Sequence, residues 1–324
     1  MTLFLSAVTC ILSNSWLWIW LSLEVNTLSF CAMVKNSKKG ETKKTVESSM
    51  KYFIIQSIAS AGMLLTFMTT KEILSTEWFM SVALFCLVIK IAAVPFHQWF
   101  INIVKNSKWK IAAILMTWQK IAPAYLIMFQ NKKMIIPFII LSATLGSISQ
   151  MNKNDLLEIL AYSSIFNLGW MLTSVVISMK MLMLFSIIYW GSVLMITKIL
   201  SLWEQKKMSK ELFKKNENWL VVIIAANLAG IPPMAGFMAK WLVLNEGLKM
   251  NLKLLMTFIL ITSSINFFIY LRVFSSSLMN TSTKKQKENM NKTKTLPSIA
   301  MIINCFPVLL IFTWGFAWTK GLLW

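Results

Sequence analysis

Apolar residues fall in eleven runs separated by short polar stretches, at 2–12, 16–34, 51–70, 78–97, 111–130, 134–150, 155–178, 181–203, 219–243, 254–278 and 299–319. A membrane-spanning helix needs about 20 mostly apolar residues. In a bilayer the backbone must satisfy its own hydrogen bonds, which helices do. The pattern predicts an all-α, polytopic transmembrane bundle of about 11 helices forming a single domain over 1–324. The first run is short. It is either a truncated helix or part of the second run, joined through Ser13, Asn14 and Ser15.

The polar stretches test this count. With eleven spans, one side of the membrane holds 35–50, 98–110, 151–154, 204–218 and 279–298, with 19 lysines between them, and the other side holds 7. Lysine enrichment marks the inner face, so the N-terminus is expected inside and the C-terminus outside. Losing one early helix would scramble the separation, which favours a real first helix.

Composition agrees. The chain is 57% hydrophobic and 14% charged, with a mean hydropathy of +0.65. A soluble core that apolar would leave too little polar surface. The chain opens directly into MTLFLSAVTCIL, so no cleavable signal is expected. The formal charge of +20 could suggest nucleic acid, but all the basic residues except Arg272 are lysines, and base and phosphate recognition favours arginine's planar fork. Abundant Lys, Met, Ile, Phe and Asn with scarce Arg and Gly reflect AT-rich codons instead. Cys10, Cys31, Cys86 and Cys305 lie in apolar runs without CxxC spacing and are expected as free thiols. No metal site and no GxGxxG or P-loop motif is found. The lysine-rich loops are solvated, with anionic lipid headgroups as a further partner.

Three lysines stand inside apolar runs: Lys90, Lys120 and Lys240. A charge at the bilayer centre costs about 2.5–3.5 kcal/mol on insertion scales. Three such costs point to moving or sensing ions. Each lysine lies within eight residues of a proline in its own run: Pro95, Pro123, and Pro232 with Pro233. Proline removes an intrahelical hydrogen bond, and freed carbonyls at membrane depth are tolerated where they face protein or water. Glu24 also lies within a run, and Lys90 is the expected partner. A buried lysine with a movable partner would hold a proton when paired and release it when not. The alternative for each lysine is snorkelling to the headgroups, which leads for Lys198. Glu47 and Lys51, four apart, are an ordinary helix pair or a proton relay. His97 is a relay or a hydrogen-bonded structural residue. Arg272 is expected as an anchor near a helix end.

Helix order suggests a repeat. Spans one to five (about 1–130) and six to ten (about 134–278) would form two units, with an extra C-terminal helix at about 299–319. In both units the fourth helix carries central proline and lysine. Five helices per unit would invert the second, and inverted repeats with interrupted helices are a signature of ion transporters.

The strings SNSWLWIWLSLEVNTLSF, ESSMKYFIIQSIAS, KIAAVPFHQW, LMTWQKIAP, ILAYSSIFNLGW, GIPPMAGFMAKW and FFIYLRVFSSS run from residue 13 to 277. They resemble the chain 2 family of the mitochondrial NADH:ubiquinone oxidoreductase, respiratory complex I, and the composition fits an invertebrate mitochondrial genome. The resemblance implies an antiporter-like, proton-translocating subunit of the membrane arm in the mitochondrial inner membrane, with the N-terminus in the matrix and the C-terminus in the intermembrane space. It implies neighbouring antiporter-like subunits as partners. It implies no cofactor here, with FMN, iron–sulfur clusters and ubiquinone elsewhere in the complex. Glu24, Lys90, Lys120 and Lys240 match the family's proton-carrying set. Asn167 stands where the family usually has histidine, and Leu157-Glu158 where it commonly has Arg-Lys. A relay at that point would need water, Ser163 or Ser164. A stand-alone cation/proton antiporter and a structural subunit with vestigial charges are the other readings.

Overall fold

The computed structural model describes residues 1–35, 42–69, 76–202, 218–232 and 234–278. The expected helix at 299–319, Cys305, Pro233 and most of the lysine-rich loops 204–218 and 279–298 lie outside the described residues.

The described chain is helical: α1 Thr2–Leu12, α2 Trp16–Lys35, α3 Thr42–Thr69, α4 Thr76–Ile91, α5 Gln98–Asn106, α6 Trp109–Met116, α7 Ile121–Ile127, α8 Lys132–Gln150, α9 Leu156–Ile177, α10 Met179–Leu202, α11 Asn218–Ala229, α12 Ala235–Lys249 and α13 Lys253–Leu278. Six of these, α2, α3, α8, α9, α10 and α13, are long and apolar enough to cross a membrane. Two other runs are built from shorter helices in series, α6 with α7 and α11 with α12, and α4 is followed across a break by α5.

The chain divides into two compact units, Met1–Leu182 and Met183–Trp324. In the first, α1 packs on α2, α2 on α3, α3 on α4 and α5, and α8 on α9. α1 is a separate helix, parted from α2 at Ser13–Ser15. Its buried face is Leu3, Ser6, Ala7 and Cys10, and Trp118 Nε1 donates to the Leu3 carbonyl at 3.3 Å. That contact explains how so short a helix is held. α9 is the core element: every residue except Tyr162 is buried, as expected of a helix apolar on all sides. Gly146 makes the α8–α9 contact close, since a Cβ there would stand 2.6 Å from the Phe166 backbone nitrogen. Small residues let helices approach in this way. In the second unit, α11, α12 and α13 pack on one another.

Three boundaries differ from the sequence pattern. α3 begins at Thr42, well before the apolar run at 51, because the polar turn carrying Glu47 and Lys51 is helical. The stretch 98–110, expected as loop, is largely α5, which buries Trp99, Phe100, Ile101, Ile103 and Val104. The run around Lys120 is not continuous. A 3-10 turn, Trp118–Lys120, separates α6 from α7. Pro123 is the cause: it has no N–H for the Gln119 carbonyl and crowds it.

The breaks at α4/α5 and α11/α12 share one design. Ala92 (φ +62) and Gly230 (φ +82) end their helices in the left-handed conformation. The next residues donate back five positions, Ala93 N–H to Val88 O and Ile231 N–H to Ala226 O, both 3.1 Å, which is the Schellman closure. Then Phe96 N–H donates to Ala93 O at 2.9 Å and Met234 N–H to Ile231 O at 2.8 Å. The helix resumes at Gln98 and at Ala235.

Candidate functional site

All three expected lysines are buried, at 5%, 2% and 8% exposure for Lys90, Lys120 and Lys240. None snorkels.

Lys90 sits in the last turn of α4, just before the break. Its Nζ has no hydrogen-bond partner. It lines a small cavity of about 20 Å3, shared with Asn26, Thr27, Tyr52, Gln56 and Gln119. Those polar groups are organised. Tyr52 Oη donates to Gln119 Oε1 at 3.3 Å, and Gln119 Nε2 donates to Asn26 Oδ1 at 3.2 Å. Gln56 Nε2 donates to the Lys90 carbonyl at 3.4 Å. The chain of amides thus joins α2, α3 and the 3-10 turn around an unpartnered ammonium.

Glu24 does not form the expected ion pair with Lys90. Its carboxylate accepts from Ser60 Oγ, and from Thr27 Oγ1 at 3.2 Å. Two hydroxyls on α2 and α3 satisfy it, and it acts on Lys90 through space.

Lys120 follows Gln119 directly. Its Nζ donates to the Ser164 carbonyl of α9 at 3.1 Å and lies 5.0 Å from the centre of the Phe100 ring. The Ser164 hydroxyl donates to Ala161 O, so it is the carbonyl, not the side chain, that receives the amine. Asn167, one turn further along α9, is buried with an unpartnered Nδ2.

Lys240 lies on α12 and reaches back across its own break. Its Nζ donates to Ala229 O at 3.0 Å and lies 3.5 Å from Leu228 O. These carbonyls end α11 and have no intrahelical donor, and the helix dipole favours a cation there. Asn227 completes the junction: its Oδ1 accepts from Gly236 N–H at 2.6 Å, in the first turn of α12. Sequence reading did not single out Asn227, Gln119 or Gln56, because polar amides in apolar runs are common.

The lower-ranked candidates sit apart. Glu47 and Lys51 pair one helical turn apart with both side chains exposed. His97 precedes α5 with Nδ1 3.2 Å from Pro95 O. Lys198 is exposed. Cys10, Cys31 and Cys86 are free. Among the described residues no group of three His, Cys, Asp or Glu could hold a metal.

Comparison with known proteins places this geometry. Residues 13–266 match the NADH:quinone oxidoreductase/Mrp antiporter transmembrane family. The chain is 33% identical to NADH-ubiquinone oxidoreductase chain 2 of Anopheles gambiae over 320 residues, covering 94% of this chain and 92% of that one. It is 34% identical to the same-named protein of Artemia franciscana over 298 residues, covering 88% and 91%. Its fold is similar to a chain of respiratory complex I from Thermus thermophilus, with a TM-score of 0.79 at 19% identity, covering 94% of this chain and 75% of that chain. A chain of the Mrp complex from Dietzia is similar at a TM-score of 0.73 and 16% identity, covering 90% and 61%. With the match spanning most of its length, the chain belongs to the NADH:quinone oxidoreductase/Mrp antiporter transmembrane family.

Proposed function

We propose that the chain is a proton-translocating membrane-arm subunit of respiratory complex I, moving protons through Glu24, Lys90, Lys120 and Lys240 while electron transfer proceeds on other subunits. The reading is supported by the relatives of similar length named NADH-ubiquinone oxidoreductase chain 2. The observation that carries it is the Lys90 site: an unpartnered buried amine facing a polar cavity whose wall includes Gln119, the residue that precedes Lys120. A polar cavity with several donors and acceptors suits water, and water gives protons a route where amide groups alone do not. Lysine can pass a proton only if its charged form is not locked by a counter-ion, and Lys90 and Lys120 bond to none.

In this reading neighbouring antiporter-like subunits and inner-membrane lipids surround the chain. No redox centre resides in it. The lysine-rich loops face the matrix, with the N-terminus in the matrix and the C-terminus in the intermembrane space.

The test is the ratio of protons pumped to NADH oxidised in mitochondrial membrane vesicles carrying Lys120→Met, at matched complex assembly. A lowered ratio supports the reading. An unchanged ratio would assign the chain a structural role. Recovery of the chain outside a large NADH-oxidising assembly would favour a stand-alone cation/proton antiporter.

A further inference from the structure

Glu158 lies in the first turn of α9, buried at 7% exposure. A buried carboxylate needs partners. Lys105, near the end of α5, donates to Glu158 Oε1, and Lys153 Nζ lies 3.8 Å from Oε2. Both lysines are themselves exposed or nearly so, so the cluster forms where the helices emerge. Asp155 and the Tyr162 hydroxyl complete the ionisable groups acting on Lys105.

The other end of the same helix pair holds Lys120. Phe100 on α5 lies under its amine and Ser164 on α9 receives its hydrogen bond. From Phe100 to Lys105 is about 7.5 Å along α5, and from Ser164 back to Glu158 about 9 Å along α9, at 1.5 Å per residue. The two helices therefore run antiparallel and in register, with an ion pair at one end and a buried ammonium at the other. α5 has nine residues and begins just beyond the break after α4, so it relies on its neighbours to hold its position.

We infer that Glu158 and Lys105 are positioning residues for proton transfer at Lys120: their ion pair pins α5 against α9 and so sets the Phe100 ring beneath the Lys120 amine. This rests on the proton-translocating reading above. The ring matters because Phe100 presents an aromatic face 5.0 Å from the amine. The titratable groups on the elements around it are Lys90 on α4, Lys105 on α5, Lys110 on α6, Tyr125 on α7, and Glu158 and Tyr162 on α9, and the amine itself meets the Ser164 carbonyl and the Phe100 ring. An aromatic face favours the charged amine at close range.

The experiment measures protons pumped per NADH against pH in vesicles holding the assembled complex, for Glu158→Gln, Phe100→Leu, their combination and the exchange Lys105→Glu/Glu158→Lys. Glu158→Gln and Phe100→Leu each move the alkaline limb of the profile to lower pH by roughly half a unit, from the usual strength of such a contact. The combination moves it no further, and the exchange restores the original profile. An unmoved profile for Glu158→Gln at matched assembly would overturn the inference, as would fully additive shifts. If Glu158→Gln does not assemble, the exchange decides: an original profile upholds the inference and a displaced one overturns it. Failure of the underlying reading is distinct, because Lys120→Met would then pump normally.

Discussion

The Lys240 amine lies 3.0 Å from the Ala229 carbonyl, so a residue in the second turn of α12 closes the end of the helix before it. The lysine is at once a buried cation and the cap of a broken helix. Any movement of the amine therefore exposes carbonyl oxygens that water or another donor must satisfy.

The Schellman residue beside it should tolerate no side chain. Gly230 has φ +82, and a Cβ would stand 3.0 Å from Lys240 Nζ. Gly230→Ala is expected to destabilise by about 1–2 kcal/mol from the left-handed backbone alone, and to displace the amine. Its counterpart Ala92 already bears that conformation at φ +62, so Ala92→Gly is expected to be neutral or stabilising by up to about 1 kcal/mol. Thermal unfolding of the purified complex, read on this subunit by proteolysis, checks both signs.

Gln119 holds the Lys90 cavity together. Gln119→Leu leaves the Tyr52 hydroxyl without its acceptor and the Asn26 carbonyl oxygen without that donor, at about 1–3 kcal/mol for each buried group left unmade. Proton pumping per NADH is expected to fall several-fold at matched assembly, while NADH oxidation by the detergent-solubilised complex persists. Equal pumping would show that the amides do not organise the route.

Gly146 sets the spacing of α8 and α9. A methyl there meets the Phe166 backbone nitrogen at 2.6 Å and its Cα at 2.8 Å, and the backbone cannot give way as a flexible side chain would. Gly146→Ala is expected to cost about 1–3 kcal/mol as overpacking and to lower the temperature at which the complex dissociates on native gels.

The Lys105–Glu158 pair has a pH signature. The carboxylate beside it holds the Lys105 amine above its usual value. A group whose value is raised on folding contributes stability that is complete below the unfolded value, about 10.4 for lysine, and that is lost as pH rises through the folded value. Unfolding midpoints of the complex are expected to fall above about pH 10.4 more steeply than those of a Lys105→Met variant. Parallel curves would mean that the pair contributes nothing to stability.

Much of this was legible along the chain, for a simple reason. Solvent polarity acts on each residue in proportion to its exposure, so apolar runs near 20 residues announce helices, and the separation of lysines announces which loops share a side. Lys105 and Lys153, from stretches assigned to one side, do meet at one carboxylate. The cost of a charge in oil likewise singled out Lys90, Lys120 and Lys240, and all three are buried. The prolines placed beside the three lysines, Pro95, Pro123 and Pro232, each lie at or next to an interruption.

Partnership was not legible. Opposite charge suggested that Glu24 would meet Lys90, but two hydroxyls, Ser60 and Thr27, reach the carboxylate first. The partner of Lys120 is a backbone carbonyl, and those of Lys240 are carbonyls eleven and twelve residues upstream. Every residue has a carbonyl, so no side-chain pattern can mark which one a bent chain will free. Apolar periodicity depends on one-dimensional order and survives any packing. Hydrogen-bond choice depends on which helix ends come within 3 Å of which amine, and that is settled only when the helices break, cap and pack together.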